Sequence, residues 1–563
     1  MSILGIVDTQ SDCGVSLIKE NKIVSSINEE RVVRKKLIGG FPYESLEELL
    51  NDSGESEKDI EKIVVGGILT PPWFARKIRY IQKLENSIIN KKRHTKLVGK
   101  LSDIAQNKLF LHINDPTSTT GQVLRKFIPS IFRGSLPEKL KKKELYFINH
   151  HLAHTASAYY TQDRSEVLAI TADAKGDGVS LTINHCKNRE IKVLQVDSAF
   201  NSYAHFYGLV TAFLGFQMNR HEGKVVGLAA YGDPNKIVTE FPFENRNNKI
   251  KYKSKWGESG LKYLRENLKG NTREDIASWL QTRIEENVTR IVRFWANKTG
   301  LRDVVLAGGL FANVKLNQNI NEMPEVNSVY VFPQMGDGGL ALGASLAYLK
   351  PGPQKLKSIY LGPEYSDKEI YEVLKTSGLK YYKSNNIEKE VARCLADGKV
   401  VARFNGRMEY GPRALGNRSM LYQTTDPSAN KWLNKKLKRT EFMPFAPTTM
   451  WEYRDKCYEY IKGSEHTARH MTITFNCTTF MKNVSPGVVH VDGTARPQLL
   501  EEKDNPSFYR IIKEYHKITA NPSIINTSFN MHEDPIVMTP KDAIKTFENS
   551  KLECLAIGPF MAG

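Results

Sequence analysis

Short apolar runs separated by polar turns mark the beginning of the chain, and they lie at residues 3–7, 14–18 and 23–27. Apolar runs of this length between glycine-containing or polar turns predict buried β-strands. The same order of runs returns further along the chain, at residues 167–171, 178–181 and 191–196. The tetrapeptide GVSL opens the second run of each set. The pattern therefore predicts an internal repeat of a three-stranded unit.

Two later apolar runs lead into glycine-rich corners. The first is followed by Gly308 and Gly309 and then by an amphipathic helix with Asn313 in its first turns. Free amides at such a strand-to-helix corner are a normal way to hold the phosphate of a nucleotide. The second run ends near Asp337, which is flanked by glycines ahead of an Ala-rich helix. This aspartate is either a helix N-cap or a carboxylate directed at a metal ion.

The sequence NHHLAH at 149–154 follows an apolar strand and opens an Ala-rich run that predicts a helix. Asn149 is a suitable N-cap, because its side chain can accept from the free amides of the first turn. His150 and His154 are four residues apart, so on a helix they share a face and can bind one metal ion. The alternative is a pair of packing or surface histidines. HExxH metalloprotease chemistry is excluded, because the pattern contains no glutamate to act as general base.

A Pro-Gly-Pro segment at 351–353 interrupts the pattern and indicates a domain boundary. We therefore expect one domain over residues 1–350 and a second over residues 355–563. Within the first domain, residues 70–143 are basic and irregular in pattern, which is typical of an insertion.

The second domain contains a dense arginine and glycine segment, NGRMEYGPRALGNRS, after a strand predicted at 400–404. Helices are predicted before it, at 366–377 and 387–397. Arginine side chains bind phosphate through two nitrogens at once, and glycines let backbone amides approach an anion. The segment is therefore a candidate anion site, with a solvated basic loop as the alternative.

Two downstream motifs carry polar groups of the same kind. TARPQ contains Arg496, and NTSFN, which contains Asn526 and Ser528, follows a predicted strand. Hydroxyl, amide and guanidinium groups at strand ends fit the rim of a nucleotide or phosphate site. Structural turns are the alternative for each motif taken singly.

The composition limits the class of protein. The chain has 563 residues, 40% of them hydrophobic and 25% charged, and it contains no run of about 18 apolar residues, so we expect a globular protein without a membrane span. Six scattered cysteines without a CxxC pattern, and a first strand without the regions of a signal peptide, favour a cytoplasmic protein. The net charge of +18 would suit nucleic acid. The basic runs lack interleaved aromatic residues, however, so anionic small molecules are favoured instead.

These blocks together resemble the NodU/TobZ-type O-carbamoyltransferase family, nearly from end to end. The resemblance rests on the order and number of the motifs EERVVRKK, NHHLAH, TADAKGDGVS, HEGKVVGLAAYG, LAGGLFANVKLN, FPQMGDGG, GRMEYGPRALGNRS, HVDGTARPQ and NTSFN. It implies an α/β protein with a duplicated actin-like (ASKHA) N-terminal domain, similar to TsaD, and a C-terminal YrdC-like α/β domain. The predicted internal repeat agrees with such a duplication.

The resemblance also implies a reaction in two stages. Carbamoyl phosphate and ATP, the latter with Mg²⁺, become carbamoyl-adenylate in the C-terminal domain. The implied binding residues there are Arg413, Arg418, Arg496, Asn526 and Ser528. In the N-terminal domain an acceptor hydroxyl then attacks the carbamoyl carbon, and AMP leaves. The implied metal, iron(II) or another divalent ion, is held by His150, His154, Asp173 and Asp337, while Gly308, Gly309 and Asn313 face the adenosine.

Two departures from the family pattern affect the catalytic residues. The family's His-Asp pair after the first strand corresponds here to Ser11 and Asp12, so Asp12 is the candidate that remains to assist the acceptor. A family segment with a basic residue before Pro-Phe has lost that residue in this chain. Lys438 and Arg439 are the candidate catalytic cations that remain.

The sequence thus predicts a carbamoyltransferase that acts on a hydroxyl of a small secondary metabolite or sugar. The alternative is a tRNA threonylcarbamoyl-type transferase, which the net charge favours and the fused C-terminal half disfavours. A metal- and nucleotide-binding regulator without activity is a third hypothesis. The acceptor and the oligomeric state stay open, with a homodimer as one hypothesis.

Overall fold

Two compact units make up the part of the chain that the computed structural model describes, which is residues 1–69, 119–246, 248–437 and 445–563. The first unit combines Met1–Glu29 with Leu37–Leu356, and the second combines Glu30–Lys36 with Lys357–Gly563. The second unit is therefore discontinuous in sequence. Most of the insertion predicted at 70–143 lies outside the described residues.

The first unit contains two five-stranded sheets. The first sheet has the order β3-β2-β1-β4-β5, with β1 (Ser2–Asp8), β2 (Cys13–Lys19), β3 (Lys22–Asn28), β4 (Lys62–Gly66) and β5 (Glu144–Ile148). The next strands are β6 (Glu166–Gly176), β7 (Val179–Lys187), β8 (Glu190–Ser198), β9 (Phe243–Arg246), β10 (Lys249–Tyr252), β11 (Asp303–Ala307) and β12 (Ser328–Val331). The second sheet has the order β12-β11-β6-β7-β8, and β9 pairs with β10.

The two sheets have the same connectivity. In the first, β2 is antiparallel to β1 and β3, and β4 is parallel to β1 and β5. In the second, β7 is antiparallel to β6 and β8, and β11 is parallel to β6 and β12. The internal repeat predicted from the apolar runs is confirmed by these pairings.

Helices cover the sheets of the first unit. They are α2 (Tyr43–Ser53), α3 (Thr119–Arg133), α4 (His150–Tyr159), α5 (Tyr203–Phe213), α6 (Glu222–Ala229), α7 (Glu258–Asn267), α8 (Arg273–Thr299), α9 (Val314–Asn321) and α10 (Leu340–Leu349). Helix α1 (Glu29–Val33) begins at Glu29 in the first unit, and its other residues belong to the second unit. Helix α4 follows β5 and α10 follows β12, so they occupy equivalent places in the two halves. A β-carbon on Gly343 would lie 2.2 Å from the carbonyl oxygen of Ala153. Small residues therefore let α4 and α10 pack closely.

The second unit is built on a mixed eight-stranded sheet with the order β13-β22-β21-β14-β15-β20-β16-β19. Its strands, with the short pair β17 and β18, are β13 (Tyr381–Lys383), β14 (Val401–Phe404), β15 (Arg418–Gln423), β16 (Ala446–Met450), β17 (Phe475–Asn476), β18 (Thr494–Ala495), β19 (Gln498–Leu500), β20 (Ser523–Ser528), β21 (Cys554–Ile557) and β22 (Phe560–Ala562). Its helices are α11 (Asp367–Lys375), α12 (Ile387–Ala396), α13 (Ala429–Lys436), α14 (Arg454–Cys457), α15 (Glu465–Ala468), α16 (Thr479–Val484), α17 (Pro506–Thr519) and α18 (Pro540–Ser550).

Both faces of this sheet are covered by helices. Val401 and Ala402 are neighbours in β14, yet they belong to different apolar clusters, because successive strand residues point to opposite faces. One cluster includes residues of α12 and α17, and the other includes residues of α11 and α18. The helices predicted at 366–377 and 387–397 and the strand predicted at 400–404 are confirmed as α11, α12 and β14.

Among the described residues, no helix combines the length and the apolar character needed to cross a bilayer. The mixed α/β class predicted from the sequence is observed in both units.

Candidate metal centre and anion-binding loop

The amino-terminal end of α4 is held by two polar side chains. Asn149 caps the helix by accepting from the Leu152 amide at 3.2 Å, which confirms the predicted N-cap. The buried carboxylate of Asp177 accepts from the His150 amide at 2.8 Å, and also from two amides of the loop after β4. A negative charge at this position also suits the positive end of the helix dipole. Asp177 therefore fixes the start of the histidine-bearing helix.

Four side chains converge beside this helix. Nε2 of His154 lies 3.2 Å from Nε2 of His150 and 3.1 Å from Oδ2 of Asp173, which extends from β6. Nε2 of His150 lies 3.4 Å from Oδ1 of Asp337, in the turn after β12. The ligand atoms of all four residues lie within 4.8 Å of one another. Both imidazoles are fully buried, whereas the aspartate side chains are 14% and 22% exposed, so the group is accessible from the carboxylate side.

The chemistry of this group suits a divalent metal ion. Two imidazole nitrogens and two carboxylate oxygens are a donor set for ions such as Fe²⁺ and Zn²⁺. Burial lowers the pKa of His150, but the Asp337 and Asp173 carboxylates outweigh burial and raise it to about 10. Burial has the opposite effect on Asp173 and raises its pKa. Hydrogen bonds from His150 and His154 outweigh burial and bring the pKa of Asp173 well below its usual value. His150 is thus held by the two neighbouring carboxylates, and the four side chains together can hold a metal ion.

His151, the middle histidine of NHHLAH, has a separate role. Its Nε2 donates to the Val179 carbonyl at 3.1 Å, which leaves Nδ1 to accept from the Thr171 hydroxyl at 2.7 Å. Burial, followed by the charges of His150 and His154, lowers the pKa of His151 to about 3. The ring is therefore neutral, and it ties α4 to the second sheet.

Asp12 lies against the turn that carries Asp337. One of its carboxylate oxygens accepts from the Gly338 amide at 3.1 Å, and the other accepts from the Asn28 side chain at 3.5 Å. Asn28 in turn accepts from the Gln334 amide group at 3.1 Å. Residues from β3 and from the loop after β1 therefore hold the loop around Asp337 within the first unit. The catalytic role of Asp12 stays a prediction.

The glycine corner after β11 lies beside the same group. Gly308 has a φ of +101°, and a β-carbon there would lie 2.2 Å from the Ala172 carbonyl, so only glycine fits. A β-carbon on Gly309 would lie 3.2 Å from Oδ1 of Asp173. Asn313 caps α9 and exchanges two side-chain hydrogen bonds with Gln281, at 2.9 and 3.0 Å. The adenosine contacts of these three residues stay predictions.

In the second unit, the arginine and glycine segment is organised by Glu409. This carboxylate is 2% exposed, and its Oε1 accepts from the amides of Leu415, Asn417 and Arg418 at 2.8, 2.7 and 3.1 Å. The carboxylate thus occupies a nest of amides of the kind that binds anions. The sequence pattern alone does not distinguish Glu409 from the other polar residues of the segment.

Arg418 is a structural residue of this loop. It is fully buried, it stacks on Phe404 at 3.7 Å, and it donates to the carbonyls of Asn405 and Gly406 at 2.8 and 3.1 Å. Burial lowers its pKa to about 10. These contacts direct the guanidinium to the backbone, and the anion-binding role predicted for Arg418 remains untested.

Arg413 and Arg496 differ from Arg418, because neither has a hydrogen bond or ion pair with another described residue. Nε of Arg413 is buried without a hydrogen-bond partner in the part of the chain that the structure describes. Burial lowers the pKa of Arg413 to about 10. Burial, followed by the positive charge of Arg413, brings the pKa of Arg496 well below its usual value. Two neighbouring guanidinium groups without an acidic partner are costly unless an anion binds between them.

The remaining candidates of the second unit lie on β20 or outside the described residues. Asn526 donates to Gln498 at 2.9 Å, and its own Oδ1 is buried without a partner among the described residues. The Ser528 hydroxyl donates to Asn530 at 2.6 Å. Lys438 and Arg439 fall outside the described residues, and their catalytic roles, like the binding roles of Asn526 and Ser528, stay predictions.

Two family profiles match this chain. The profile described as Carbamoyltransferase N-terminus matches residues 2–346, and the profile described as Carbamoyltransferase C-terminus matches residues 392–563. The chain is similar to an uncharacterized protein of Methanocaldococcus jannaschii, with 30% identity over 99% of both chains. It is also similar to nodulation protein NolNO of Sinorhizobium fredii, with 27% identity over 98% of this chain and 78% of that protein.

The comparison with solved structures is much weaker. HypF of T. kodakarensis overlaps 62% of this chain and 48% of its own, with 12% identity and a TM-score of 0.35. An overlap of this quality supports no conclusion about the fold.

Proposed function

The chain belongs to the carbamoyltransferase family, and from that premise we propose an ATP-dependent O-carbamoyltransferase that modifies a hydroxyl of a small molecule. The observation that carries the proposal is the pair Arg413 and Arg496 in the second unit, which have no hydrogen bond or ion pair with another described residue. Such a pair suits a phosphate-bearing substrate. The separate metal-ligand group of the first unit supports a second stage with different chemistry.

The first stage would take place in the second unit, for which we propose a YrdC-like domain. Water cleaves carbamoyl phosphate to carbamate and phosphate. A carbamate oxygen then attacks the α-phosphorus of ATP, which carries Mg²⁺, and pyrophosphate leaves. Arg413 and Arg496 would neutralise the phosphate charges, with Asn526 and Ser528 at the rim of the site. Lys438 and Arg439 are the proposed additional cations.

The second stage would take place in the first unit, for which we propose the duplicated actin-like fold. The acceptor oxygen attacks the carbamoyl carbon of carbamoyl-adenylate, the bond from that carbon to the phosphate oxygen breaks, and AMP leaves. The hydroxyl proton must pass to a base, and Asp12 is the proposed residue. Gly308, Gly309 and Asn313 would form the corner against the adenosine.

His150, His154, Asp173 and Asp337 would hold the metal ion of this unit, with iron(II) as the proposed ion. When bound, a divalent ion supplies positive charge that stabilises AMP as a leaving group. The ligand residues themselves remain ligands and do not react. Asp177 and His151 keep the two histidines in place, because they fix the start of α4 and its position on the sheet.

The test is carbamoyl-phosphate-dependent consumption of ATP. Purified protein with Fe²⁺ and Mg²⁺ is given ATP and carbamoyl phosphate, with and without a set of hydroxylated acceptors. We expect pyrophosphate release that needs carbamoyl phosphate, and AMP together with a carbamoylated product, 43 mass units heavier, when the right acceptor is present (roughly one carbamoyl group in place of one hydrogen). Absence of any pyrophosphate or AMP that depends on carbamoyl phosphate would reject the proposal.

A further inference from the structure

The motif EERVVRKK has no role in the reaction described so far. Its residues Glu30–Lys36 belong to the second unit, although the remainder of that unit begins at Lys357. The segment contains two arginines that are directed to different loops of the second unit. The two arginines therefore stabilise different parts of the second unit.

Arg31 is directed to the loop that carries Arg413. Its side chain is 4% exposed, and its Nη2 donates to the Gly411 carbonyl at 2.6 Å. Gly411 has a φ of +124°, a backbone conformation that favours glycine. Because Gly411 stands two residues before Arg413, the direction of its peptide affects where the Arg413 side chain begins.

The other end of the loop is held by different groups. Glu409 accepts from amides between Leu415 and Arg418, and Arg403 donates to the Gly416 carbonyl at 2.5 Å. These contacts fix the loop after Arg413. The contact from Arg31 fixes the loop before Arg413. Arg413 therefore lies between two parts of the loop that are held by hydrogen bonds.

Arg34 provides a comparison within the same segment. Its Nη2 donates to the Pro535 carbonyl at 2.8 Å, and its Nε lies 3.5 Å from Oδ1 of Asp542. It is a guanidinium of the same segment with contacts of the same kind, but its partners lie in the loop before α18 and in the first turn of α18. Loss of Arg34 therefore removes comparable bonds without altering the loop of Arg413.

We propose that Arg31 is a positioning residue for the anion site of the second unit. It holds the Gly411 peptide so that Arg413 faces Arg496 across the space for a phosphate group. This inference rests on the proposed function, because it takes Arg413 as a ligand of carbamoyl phosphate. It adds that a segment from the amino-terminal end of the chain sets the affinity of that site.

The experiment compares Arg31→Met with Arg34→Met in the full chain. We expect Arg31→Met to raise the KM for carbamoyl phosphate in pyrophosphate release about tenfold, the size expected for one charge-assisted hydrogen bond, with kcat within about twofold. The Kd for inorganic phosphate, measured by calorimetry, should rise by a similar factor. Arg34→Met should leave both constants unchanged. Arg31→Lys, which keeps a charged donor, should recover most of the loss.

The possible failures separate the two proposals. If the wild type neither releases pyrophosphate nor binds phosphate, the proposed function fails. If the wild type does both and Arg31→Met matches it, only the role of Arg31 is rejected. Equal increases of KM in Arg31→Met and Arg34→Met would also reject it, since they would reflect general destabilisation. Should Arg31→Met not fold, Arg31→Gln takes its place in the same comparison.

Discussion

A β-carbon on Gly176 would lie 2.1 Å from Cδ2 of His150, so the hydrogen of this glycine is what leaves room for the imidazole ring. We expect Gly176→Ala to displace His150 and to weaken metal binding by about ten- to a hundredfold, as the loss of a ligand-orienting contact commonly does. Calorimetry with Mn²⁺ or Fe²⁺ measures the effect. Gly223→Ala is the control, because a β-carbon there meets nothing within 4 Å. Equal metal affinity in both variants would contradict the proposed role of His150.

Loss of a proposed metal ligand should separate the two proposed stages of the reaction. We expect His154→Ala to lose transfer to the acceptor, while pyrophosphate release from ATP and carbamoyl phosphate is retained, because His154 lies in the first unit. Product formation by mass spectrometry and pyrophosphate release are measured in the same samples. His185→Ala, which removes a surface histidine paired with Glu166, is the control and should retain both. Loss of both activities in His154→Ala would contradict the division between the units.

We expect Arg413 and Arg418 to have different roles, with Arg413 binding the anion and Arg418 stabilising the loop. We expect Arg413→Met to lower kcat/KM for carbamoyl phosphate about ten- to a hundredfold without loss of thermal stability, since it removes one of two charges that have no partner among the described residues. Arg418→Met should lower the free energy of unfolding by about 3 kcal/mol, because several carbonyls lose their donor. Thermal unfolding and steady-state kinetics measure both effects. A large loss of stability in Arg413→Met would overturn this distinction.

Part of the candidate metal centre could be predicted because its signals are local. The spacing of His150 and His154 places them on one helical face, and a carboxylate such as Asp337 at a strand end points to a shared edge of the sheet. Asp177 could not be identified in this way. Its role depends on the turn after β6 returning to the start of α4, which is a tertiary contact.

The arginine and glycine segment of the second unit could not be assigned from local signals. Arg413 and Arg418 have the same chemistry and lie in the same motif, so the sequence alone predicts the same anion-binding role for both. Arg418 begins β15 and is buried against Phe404, whereas Arg413 lies in the turn before that strand. The sequence also does not predict that Glu30–Lys36 belongs to the second unit, because only contacts between distant parts of the chain define this membership.

The stability of the first unit should depend on pH through Glu29. Its carboxyl is 1% exposed and accepts from the Ser45 amide at 2.7 Å, and burial, with Glu44 adding to it, raises its pKa from 4.5 to about 7. The folded protein therefore binds a proton that the unfolded chain releases at a lower pH. Its free energy of unfolding should fall as the pH rises from about 4.5 to about 7.

Glu29→Gln should remove that dependence. We expect the free energy of unfolding of the variant minus that of the wild type to increase by about 2 kcal/mol as the pH rises across this range. The difference between their melting temperatures should increase in the same direction. Thermal unfolding at several pH values is the measurement. Glu138→Gln, at a side chain that is 86% exposed, is the control. A difference between variant and wild type that stays constant with pH would contradict the assignment.

Cys394 should be the most reactive thiol. Its Sγ lies 3.8 Å from that of Cys554, and the hydrogen bond from Cys554 lowers the pKa of Cys394 to about 7. Cys394 is also partly exposed, whereas the other five cysteines are buried. We expect iodoacetamide near neutral pH to modify Cys394 first, because the thiolate is the reactive form. Peptide mass spectrometry measures this, and uniform labelling of the six cysteines would contradict it.

The discontinuity of the second unit bears on how the chain is synthesised. Glu30–Lys36 leaves the ribosome before almost all of the first unit, while β22, which lies between β13 and β21 in the sheet, follows the first unit in sequence. The second unit can therefore complete its fold only after all of the first unit has been made, although domains usually fold in order of synthesis. Arg31 and Arg34 can donate to the carbonyls of Gly411 and Pro535 only after those loops have been made. A gene cut at Leu356 would also yield a carboxyl-terminal fragment that lacks one of its own segments.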